Sequence, residues 1–325
     1  MQILMMGTGP FAVPTFEALI ASDHTVLGLV TRPPRPVQTG RRSRSVVVNP
    51  MRDVAERHGL SVWMPEDING EEAHQQLQAT AIDLLVVCDY GQILSDDSLR
   101  LGRLGGINLH ASLLPAYRGA APINWAIWDG LDTTGVTVIH MTAGLDAGPC
   151  LVQRSLDIGD DDDAVTMERK LADLGVAAVL DAVQMLENWD GTSSIGSVQD
   201  GKKATRARRL RKDDGLVDWS RTSQQIDAQV RALRPWPGTF THLQRLEQPP
   251  LRVAIEQVTP IGLDGASIKS GIEPGEIVEV SKEQFLVACG EGYLRIDRLQ
   301  PAGKRSQSAA EFLRGYRLDI GSRFA

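Results

Sequence analysis

Over the first 188 residues, apolar runs of strand length alternate with segments of helical spacing. The strand-like runs are residues 2–6, 25–31, 61–64, 83–91, 105–112, 135–142 and 150–158, and the helical segments are 12–22, 48–58, 70–79 and 163–188. Such alternation is typical of a mostly parallel sheet with helices on both faces. The pattern predicts an α/β fold with a Rossmann-like N-terminal domain over residues 1–188.

The composition and the strand pattern change after this region. Residues 189–206 are rich in Gly, Ser, Thr and Lys, which is typical of a linker. A helical segment at 222–233 follows, and then come short strand-like runs at 251–258, 276–280, 284–289 and 293–299. Short strands separated by turn residues indicate a small barrel. We expect residues 207–325 to form a smaller, OB-like C-terminal β-barrel domain.

The composition argues against several classes of protein. The chain has 325 residues, 42% of them hydrophobic and 23% charged, which suits a globular protein of about two domains. It lacks an apolar run of about 18 residues and a signal-peptide pattern at its start, so no membrane association is expected. Cys88, Cys150 and Cys289 have no paired spacing. We therefore expect reduced thiols in a cytoplasmic protein. We also expect no metal site and a monomer.

A row of polar residues lies where an apolar strand ends. Residues 105–122 read GGINLHASLLPAYRGAAP, and strand side chains alternate between two faces. Asn108, His110 and Ser112 are therefore predicted to share one face. Polar groups at the end of a buried strand are typical of a reaction site in an open α/β sheet. An amide can stabilise developing charge and an imidazole can move a proton, so the segment predicts a catalytic site.

A glycine-containing turn follows the first strand and suggests another class of function. Residues 7–12 read GTGPFA, which satisfies the GxGxxA pattern of dinucleotide-binding sites. An NADP-linked dehydrogenase is therefore an alternative, with Arg32 suited to a 2′-phosphate. However, Pro10 removes a backbone N–H from the loop that would bind the pyrophosphate. We interpret the segment as a tight connection between a strand and a helix.

Several segments resemble one known family. HASLLPAYRG resembles the H-x-S-L-L-P-x-x-x-G signature of the folate-dependent formyltransferases, and GLDAG at 144–148 fits the same family. MMGTGPFAVPTFEALI, DYGQIL, ALRPWPGTF and LQPAGKRSQSAAEFLRGYRL are similar to one subfamily, the methionyl-tRNA formyltransferases. The resemblance covers nearly the whole chain. It implies transfer of the formyl group of 10-formyltetrahydrofolate, a co-substrate, to the α-amino group of methionine on initiator methionyl-tRNA, for translation initiation.

The resemblance also implies the residues of the site. It assigns Asn108, His110 and Asp146 to catalysis, and a carboxylate beside an imidazole would orient that ring. The family commonly has a small residue where this chain has Asp89. The residues implied to bind the folate are Asp89, Tyr90, Gly91, Gln92, Ile93, Leu94, Ser112, Leu113, Leu114, Pro115 and Gly144.

Two basic segments are candidates for contact with tRNA, although the formal net charge of the chain is −7. Such residues neutralise phosphates and position an RNA without reading its sequence. The candidates are Arg41, Arg42, Arg44, Lys202, Lys203, Arg206, Arg208 and Arg209. Trp219 and Trp236 are expected to pack in the core rather than to stack on bases.

The acceptor of the formyl group has alternatives at this point. The same chemistry would serve an amino-sugar nucleotide or glycinamide ribonucleotide as the acceptor. The C-terminal matches, and a chain too long for the single-domain type, favour methionyl-tRNA.

Overall fold

A computed structural model of the chain describes residues 1–34, 49–245, 248–262 and 271–325. The chain divides into two compact units. The first contains residues 1–122, 133–157 and 167–208, and the second contains residues 123–132, 158–166 and 209–325. In the part of the chain that the structure describes, no helix is long and apolar enough to cross a membrane.

The first 208 residues contain nine strands and six α-helices among the described residues. The strands are β1 (Gln2–Gly7), β2 (Thr25–Val30), β3 (Ser61–Trp63), β4 (Leu84–Cys88), β5 (Gly106–His110), β6 (Arg118–Gly119), β7 (Thr133–His140), β8 (Cys150–Asp157) and β9 (Arg206–Ala207). The helices are α1 (Val13–Ile20), α2 (Pro50–Arg57), α3 (Glu71–Gln78), α4 (Asp96–Leu99), α5 (Pro122–Trp128) and α6 (Ala164–Glu187).

Seven of these strands form one sheet in the order β3-β2-β1-β4-β5-β7-β8. The first five are parallel, whereas β7 and β8 run antiparallel to their neighbours. The strand order reverses between β1 and β4, and ligands of open α/β sheets bind at the carboxyl ends of the strands at such a point. The sheet confirms the predicted Rossmann-like fold class.

Local sequence explains where the elements of this unit begin and pack. At α2, Asn49 accepts a hydrogen bond from the Arg52 amide and Pro50 takes the first helical position, both of which favour helix initiation. The strands β1 and β4 are almost wholly buried, as expected for central parallel strands. One apolar cluster joins them to α3, with Leu4, Val87 and Leu77 among its members.

The second unit is built on an antiparallel sheet. The part of this unit after residue 208 contains the strands β10 (Thr239–Arg245), β11 (Gln248–Ile261), β12 (Ile277–Val280), β13 (Phe285–Ala288), β14 (Tyr293–Pro301) and β15 (Gln307–Ser308) and the helices α7 (Ser223–Ala232) and α8 (Ala309–Gly315). The sheet order is β10-β11-β14-β13-β12, and β15 pairs with β14. Both helices begin at a capping box, Thr222 with Gln225 and Ser308 with Glu311. This arrangement confirms the smaller OB-like β domain.

The two tryptophans expected in the core have different environments. Trp219 is buried, packs against Phe324 and donates from its indole nitrogen to the Thr241 hydroxyl. Trp236 is 50% exposed, so its predicted place in the core is wrong. It lies between two prolines in a turn after α7, where the chain keeps the ring out of the apolar cluster.

Candidate active site

The strand β5 carries the polar pair predicted from the sequence. Its apolar residues Ile107 and Leu109 are buried, while Asn108 is half-buried and His110 is only 6% exposed. On the neighbouring strand Val87 pairs with Asn108. Asp89, the first residue after β4, therefore lies at the level of His110, the last residue of β5. The residues 108 and 110 thus lie on one face at the carboxyl end of β5.

Each nitrogen of the His110 ring has a defined neighbour. Nε2 lies 2.9 Å from the backbone oxygen of Tyr117, and Nδ1 lies 3.7 Å from Oδ2 of Asp146. Because a carbonyl oxygen only accepts, Nε2 must carry a proton. In the neutral ring Nδ1 is therefore the nitrogen without a proton, and it faces the carboxylate.

Asp146 reaches His110 by a route that strand order alone does not indicate. It follows β7, which is antiparallel to β5, and β7 ends at His140 beside Ile107 rather than beside His110. The segment after β7 folds back instead. Oδ2 of Asp146 accepts a hydrogen bond of 2.8 Å from the Gly119 amide, and the side chain is 12% exposed.

Unusual backbone conformations are concentrated around this pair. Among the described residues, three residues other than glycine have a positive φ angle: Asp89 at 50°, Tyr117 at 58° and Asp146 at 48°. All three belong to segments predicted to form the site or to contact it. Such conformations cost free energy and persist only where the surrounding structure fixes them, which is common at functional sites.

The turn after β5 is held by hydrogen bonds to its neighbours. The Ser112 side chain is fully buried and its hydroxyl donates to the Ala116 oxygen over 2.7 Å. The Leu114 amide donates to the Thr137 hydroxyl, and the Gln153 side chain donates to the Leu114 oxygen. The turn is therefore rigid, and Leu113 and Pro115 are its half-buried members.

Asp89 lies at the switch point of the sheet. Its backbone oxygen accepts from the Thr8 amide, and a Cβ atom on Gly9 would collide with its carboxylate. One side of the residue reaches solvent, yet the surrounding protein raises the pKa of its carboxyl group to about 6, and the carboxylate of Glu168 adds to the rise. Burial also raises the pKa of Glu168, which accepts a hydrogen bond from the Phe11 amide.

The rest of the predicted folate loop combines anchored and exposed groups. Leu94 is buried, and Gln92 accepts from the Ile68 amide. Ile93 is 65% exposed, and Gly91 has a φ of 80°. The Tyr90 hydroxyl is buried without a hydrogen-bond partner among the described residues. An exposed apolar side chain and an unpaired hydroxyl are groups that a flat heterocycle with polar edges can contact. Gly144, the remaining residue of the predicted folate site, is exposed.

The basic candidates are placed as follows. Arg41, Arg42 and Arg44 lie outside the described residues. The other candidates, all exposed, are Lys202, Lys203, Arg206, Arg208 and Arg209.

Sequence reasoning missed four contributors to the site. The Tyr117 oxygen and the Gly119 amide are backbone groups, which a residue pattern does not specify. Gln199 and Thr205 lie in the segment predicted as a linker, and both bond to the site. The composition of that segment carried no signal for this role.

Comparisons with known proteins show the family to which the chain belongs. The family described as "Formyl transferase" matches residues 1–183, and "Formyl transferase, C-terminal domain" matches residues 209–317. The chain belongs to the formyl transferase family. It is 43% identical to a methionyl-tRNA formyltransferase of Rhodopirellula baltica, over 99% of this chain and 96% of that protein. It is 39% identical to that of Geobacter metallireducens, over 99% and 98% of the two chains.

Solved structures share the fold of this formyl transferase at low sequence identity. WlaRD, a sugar 3N-formyl transferase, has a TM-score of 0.63 at 14% identity and covers 94% of this chain and 99% of its own. HypX from Aquifex aeolicus in complex with tetrahydrofolic acid has a TM-score of 0.62 at 15% identity, over 98% of this chain and 50% of its own. At these identities the likeness extends to the fold alone.

Proposed function

We propose that this chain transfers the formyl group of 10-formyltetrahydrofolate to the α-amino group of methionine on initiator methionyl-tRNA, for translation initiation. Relatives of nearly the same length that are 36–43% identical are methionyl-tRNA formyltransferases. The observation that supports the chemistry most directly is the His110–Asp146 pair, 3.7 Å apart, at the carboxyl end of β5 and beside Asn108.

Formyl transfer makes two demands on the protein. An amine attacks the formyl carbon, so negative charge develops on the formyl oxygen, and the amine must lose a proton. The bond between the formyl carbon and N10 of the folate then breaks, and N10 takes up a proton as tetrahydrofolate leaves. We assign the first demand to Asn108, whose amide N–H can donate to the developing oxyanion without losing its own proton. One such donor contributes a factor of about 10²–10³ to the rate.

The His110–Asp146 pair meets the second demand. Nε2 of His110 is committed to the Tyr117 oxygen, so a proton from the amine goes to Nδ1 or to the facing carboxylate of Asp146. The charged imidazolium is then stabilised by Asp146 at 3.7 Å, a distance that can shorten when substrate is bound. The low exposure of both side chains limits competing exchange with water.

The remaining residues of the site hold the two substrates. We assign the segment 89–94, the turn 112–115 and Gly144 to the folate, which supplies the formyl group when bound. We assign residues 1–188 to formyl transfer, residues 207–325 to tRNA binding and residues 189–206 to their connection along the chain. The basic candidates would contact tRNA phosphates. We also propose that the protein acts as a cytoplasmic monomer.

The test uses the purified chain with 10-formyltetrahydrofolate and methionyl-tRNA. We expect formylmethionyl-tRNA, detected by mass spectrometry after release of formylmethionine. Parallel reactions contain an amino-sugar nucleotide, glycinamide ribonucleotide, or NADPH with small carbonyl substrates. Formylation of the sugar or the ribonucleotide without formylation of methionyl-tRNA would refute the assigned acceptor. Nicotinamide oxidation alone would refute the class of reaction.

A further inference from the structure

Residues 196–207, here called the strap, form hydrogen bonds with parts of the first unit that are distant from them in the sequence. The amide and oxygen of Ser197 pair with those of Cys150, with both bonds at 2.8 Å. The strand β9 at the other end of the strap pairs with β6, so that Arg206 lies opposite Arg118 and Ala207 opposite Gly119. The strap is therefore fixed at both ends to the first unit.

Gln199 joins the strap to the segment that carries Asp146. Its side-chain nitrogen donates to the Asp146 oxygen over 2.8 Å and to the Gly148 oxygen over 2.7 Å. Its side-chain oxygen accepts from two guanidinium nitrogens of Arg118, over 3.1 and 2.6 Å. Carbonyls only accept and a guanidinium only donates, so this chemistry fixes which end of the amide faces which partner. All four hydrogen-bonding positions of the amide are used.

Thr205 joins the strap to the segment that contacts both members of the catalytic pair. Its hydroxyl accepts from the Tyr117 amide over 2.8 Å, and its backbone oxygen accepts from the Arg118 amide over 2.9 Å. Tyr117 supplies the oxygen bonded to His110 Nε2, and Gly119 supplies the amide bonded to Asp146. Thr205 thus holds the same backbone segment that positions His110 and Asp146 for proton transfer.

We propose that Gln199 and Thr205 are positioning residues for formyl transfer, which hold Asp146 and the backbone oxygen bonded to His110 in the geometry that removes the proton from the amine. This inference rests on the proposed function. Gln199 acts from one side through the backbone oxygens of Asp146 and Gly148. Thr205 acts from the other side through Tyr117. A displacement of about 1 Å in such a geometry can lower the rate about 10²-fold, although neither residue need touch a substrate.

The decisive variant is Gln199→Glu, because it keeps the size of the side chain and an acceptor for Arg118. It removes the two donors and places a carboxylate oxygen against the Asp146 and Gly148 oxygens. Gln199→Met removes all four hydrogen bonds without adding charge. Gln78→Glu, on the exposed side of α3, is the control for the added charge.

The measurements are kcat, the KM for each substrate and Tm in the full chain. We expect kcat to fall about 10- to 100-fold in Gln199→Glu and in Gln199→Met, with both KM values within about threefold of wild type. Gln78→Glu should match wild type. Thr205→Val should lower kcat several-fold, and Thr205→Ser, which keeps the hydroxyl, should restore it. A purely structural role would lower Tm without this separation of kcat from KM.

The outcomes separate the two proposals. A wild-type chain that does not formylate methionyl-tRNA refutes the proposed function. An active wild type beside a Gln199→Glu variant with unchanged kcat, or with a change confined to KM, overturns the positioning role of Gln199. Thr205→Ser as impaired as Thr205→Val overturns the role of the Thr205 hydroxyl. If Gln199→Glu does not fold, the Gln199→Met and Thr205 variants give the same test.

Discussion

Oδ2 of Asp146 lies 3.7 Å from Nδ1 of His110 while it accepts a 2.8 Å hydrogen bond from the Gly119 amide. The carboxylate is thus held by a backbone donor on one side and faces the imidazole on the other. Nε2 of His110 bonds to the backbone oxygen of Tyr117, two residues before Gly119. Both side chains are therefore held by hydrogen bonds to the same short backbone segment. Their separation is set by that segment before any substrate binds.

Asp146→Asn tests whether the charge of this carboxylate is needed. The variant keeps an oxygen that can accept from Gly119, so the position of the side chain should be preserved while the negative charge is lost. We expect kcat to fall by about 10²-fold or more, with Tm within a few degrees of wild type. Steady-state formylation assays measure the first quantity and calorimetry the second. A variant with wild-type kcat would remove Asp146 from the catalytic set.

Asn108→Ala tests the assigned oxyanion donor. We expect kcat to fall about 10²- to 10³-fold, because one preorganised donor is lost where charge develops. The affinity for 10-formyltetrahydrofolate, measured by calorimetric titration, should change far less. His110→Ala should show the same separation. Asn188→Ala, which alters an exposed side chain at the end of α6, is the matched control. Equal losses of turnover and of folate affinity would instead indicate a collapsed site.

Gly119→Ala tests the close approach of β6 and β9. Gly119 has a φ of 123°, and a Cβ atom there would lie 2.5 Å from the Ala207 oxygen. The substitution should cost about 1–3 kcal/mol of folding free energy and lower Tm by several degrees. It should also lower kcat, because the Gly119 amide holds Asp146. Gly201→Ala in the strap, where a Cβ meets nothing within 4 Å, should leave both quantities unchanged.

The sequence was sufficient for the parts of the fold that depend on local pattern. The apolar runs located the strands of the main sheet to within a few residues, and the alternation along β5 placed Asn108 and His110 on one face. The same alternation predicted Ser112 on that face, but β5 ends at His110 and Ser112 lies in the turn that follows. The predicted strand at 83–91 was too long, because Asp89 adopts a positive φ and turns the chain out of the sheet after Cys88. Such a change depends on tertiary surroundings rather than on residue type.

The rest of the site depends on contacts that a pattern does not specify. Gln199 bonds to Arg118, 81 positions earlier, and to the backbone oxygens of Asp146 and Gly148. Every residue type has the same backbone acceptor, so the sequence does not indicate which backbone oxygens the Gln199 side chain will contact. The polar composition around Gln199 predicted a linker because most such segments bury little apolar surface.

Asp89→Asn tests whether the charge of Asp89 at the switch point of the sheet lowers the stability of the folded chain in a pH-dependent way. The folded protein raises the pKa of Asp89 to about 6 from a usual value of 3.8, so stability falls as the pH rises through this interval. The Asn variant does not ionise and suits the positive φ. It should therefore be more stable than wild type above pH 6, by about 1 kcal/mol once solvent screening is allowed for, and equal to it near pH 4.

The matched control for this pH dependence is Asp83→Asn, for which the opposite sign is expected. A hydrogen bond from the Gln2 amide, aided by Arg103, lowers the pKa of Asp83. Its carboxylate therefore stabilises the folded chain above the usual Asp pKa, and this variant should be less stable than wild type at pH 7. Denaturant unfolding between pH 4 and pH 8 measures the effect of Asp89, and the same series continued to about pH 2 measures the loss of the Asp83 contribution. Parallel curves for wild type and Asp89→Asn over that range would contradict the raised pKa.

The final prediction concerns the basic segment before α2, where Arg41, Arg42 and Arg44 would meet tRNA phosphates. Replacing all three by Ala should raise the KM for methionyl-tRNA strongly and leave folate binding unchanged, because phosphate contacts position the RNA while the chemistry needs only the amine and the formyl donor. Fewer counterions would be released, so the slope of log affinity against log salt should flatten by about 2–3. The comparison variant replaces Lys202, Lys203 and Arg206. If the arginine variant keeps wild-type affinity at moderate salt while the comparison variant loses it, the strap's basic residues, and not the arginines, hold the acceptor end.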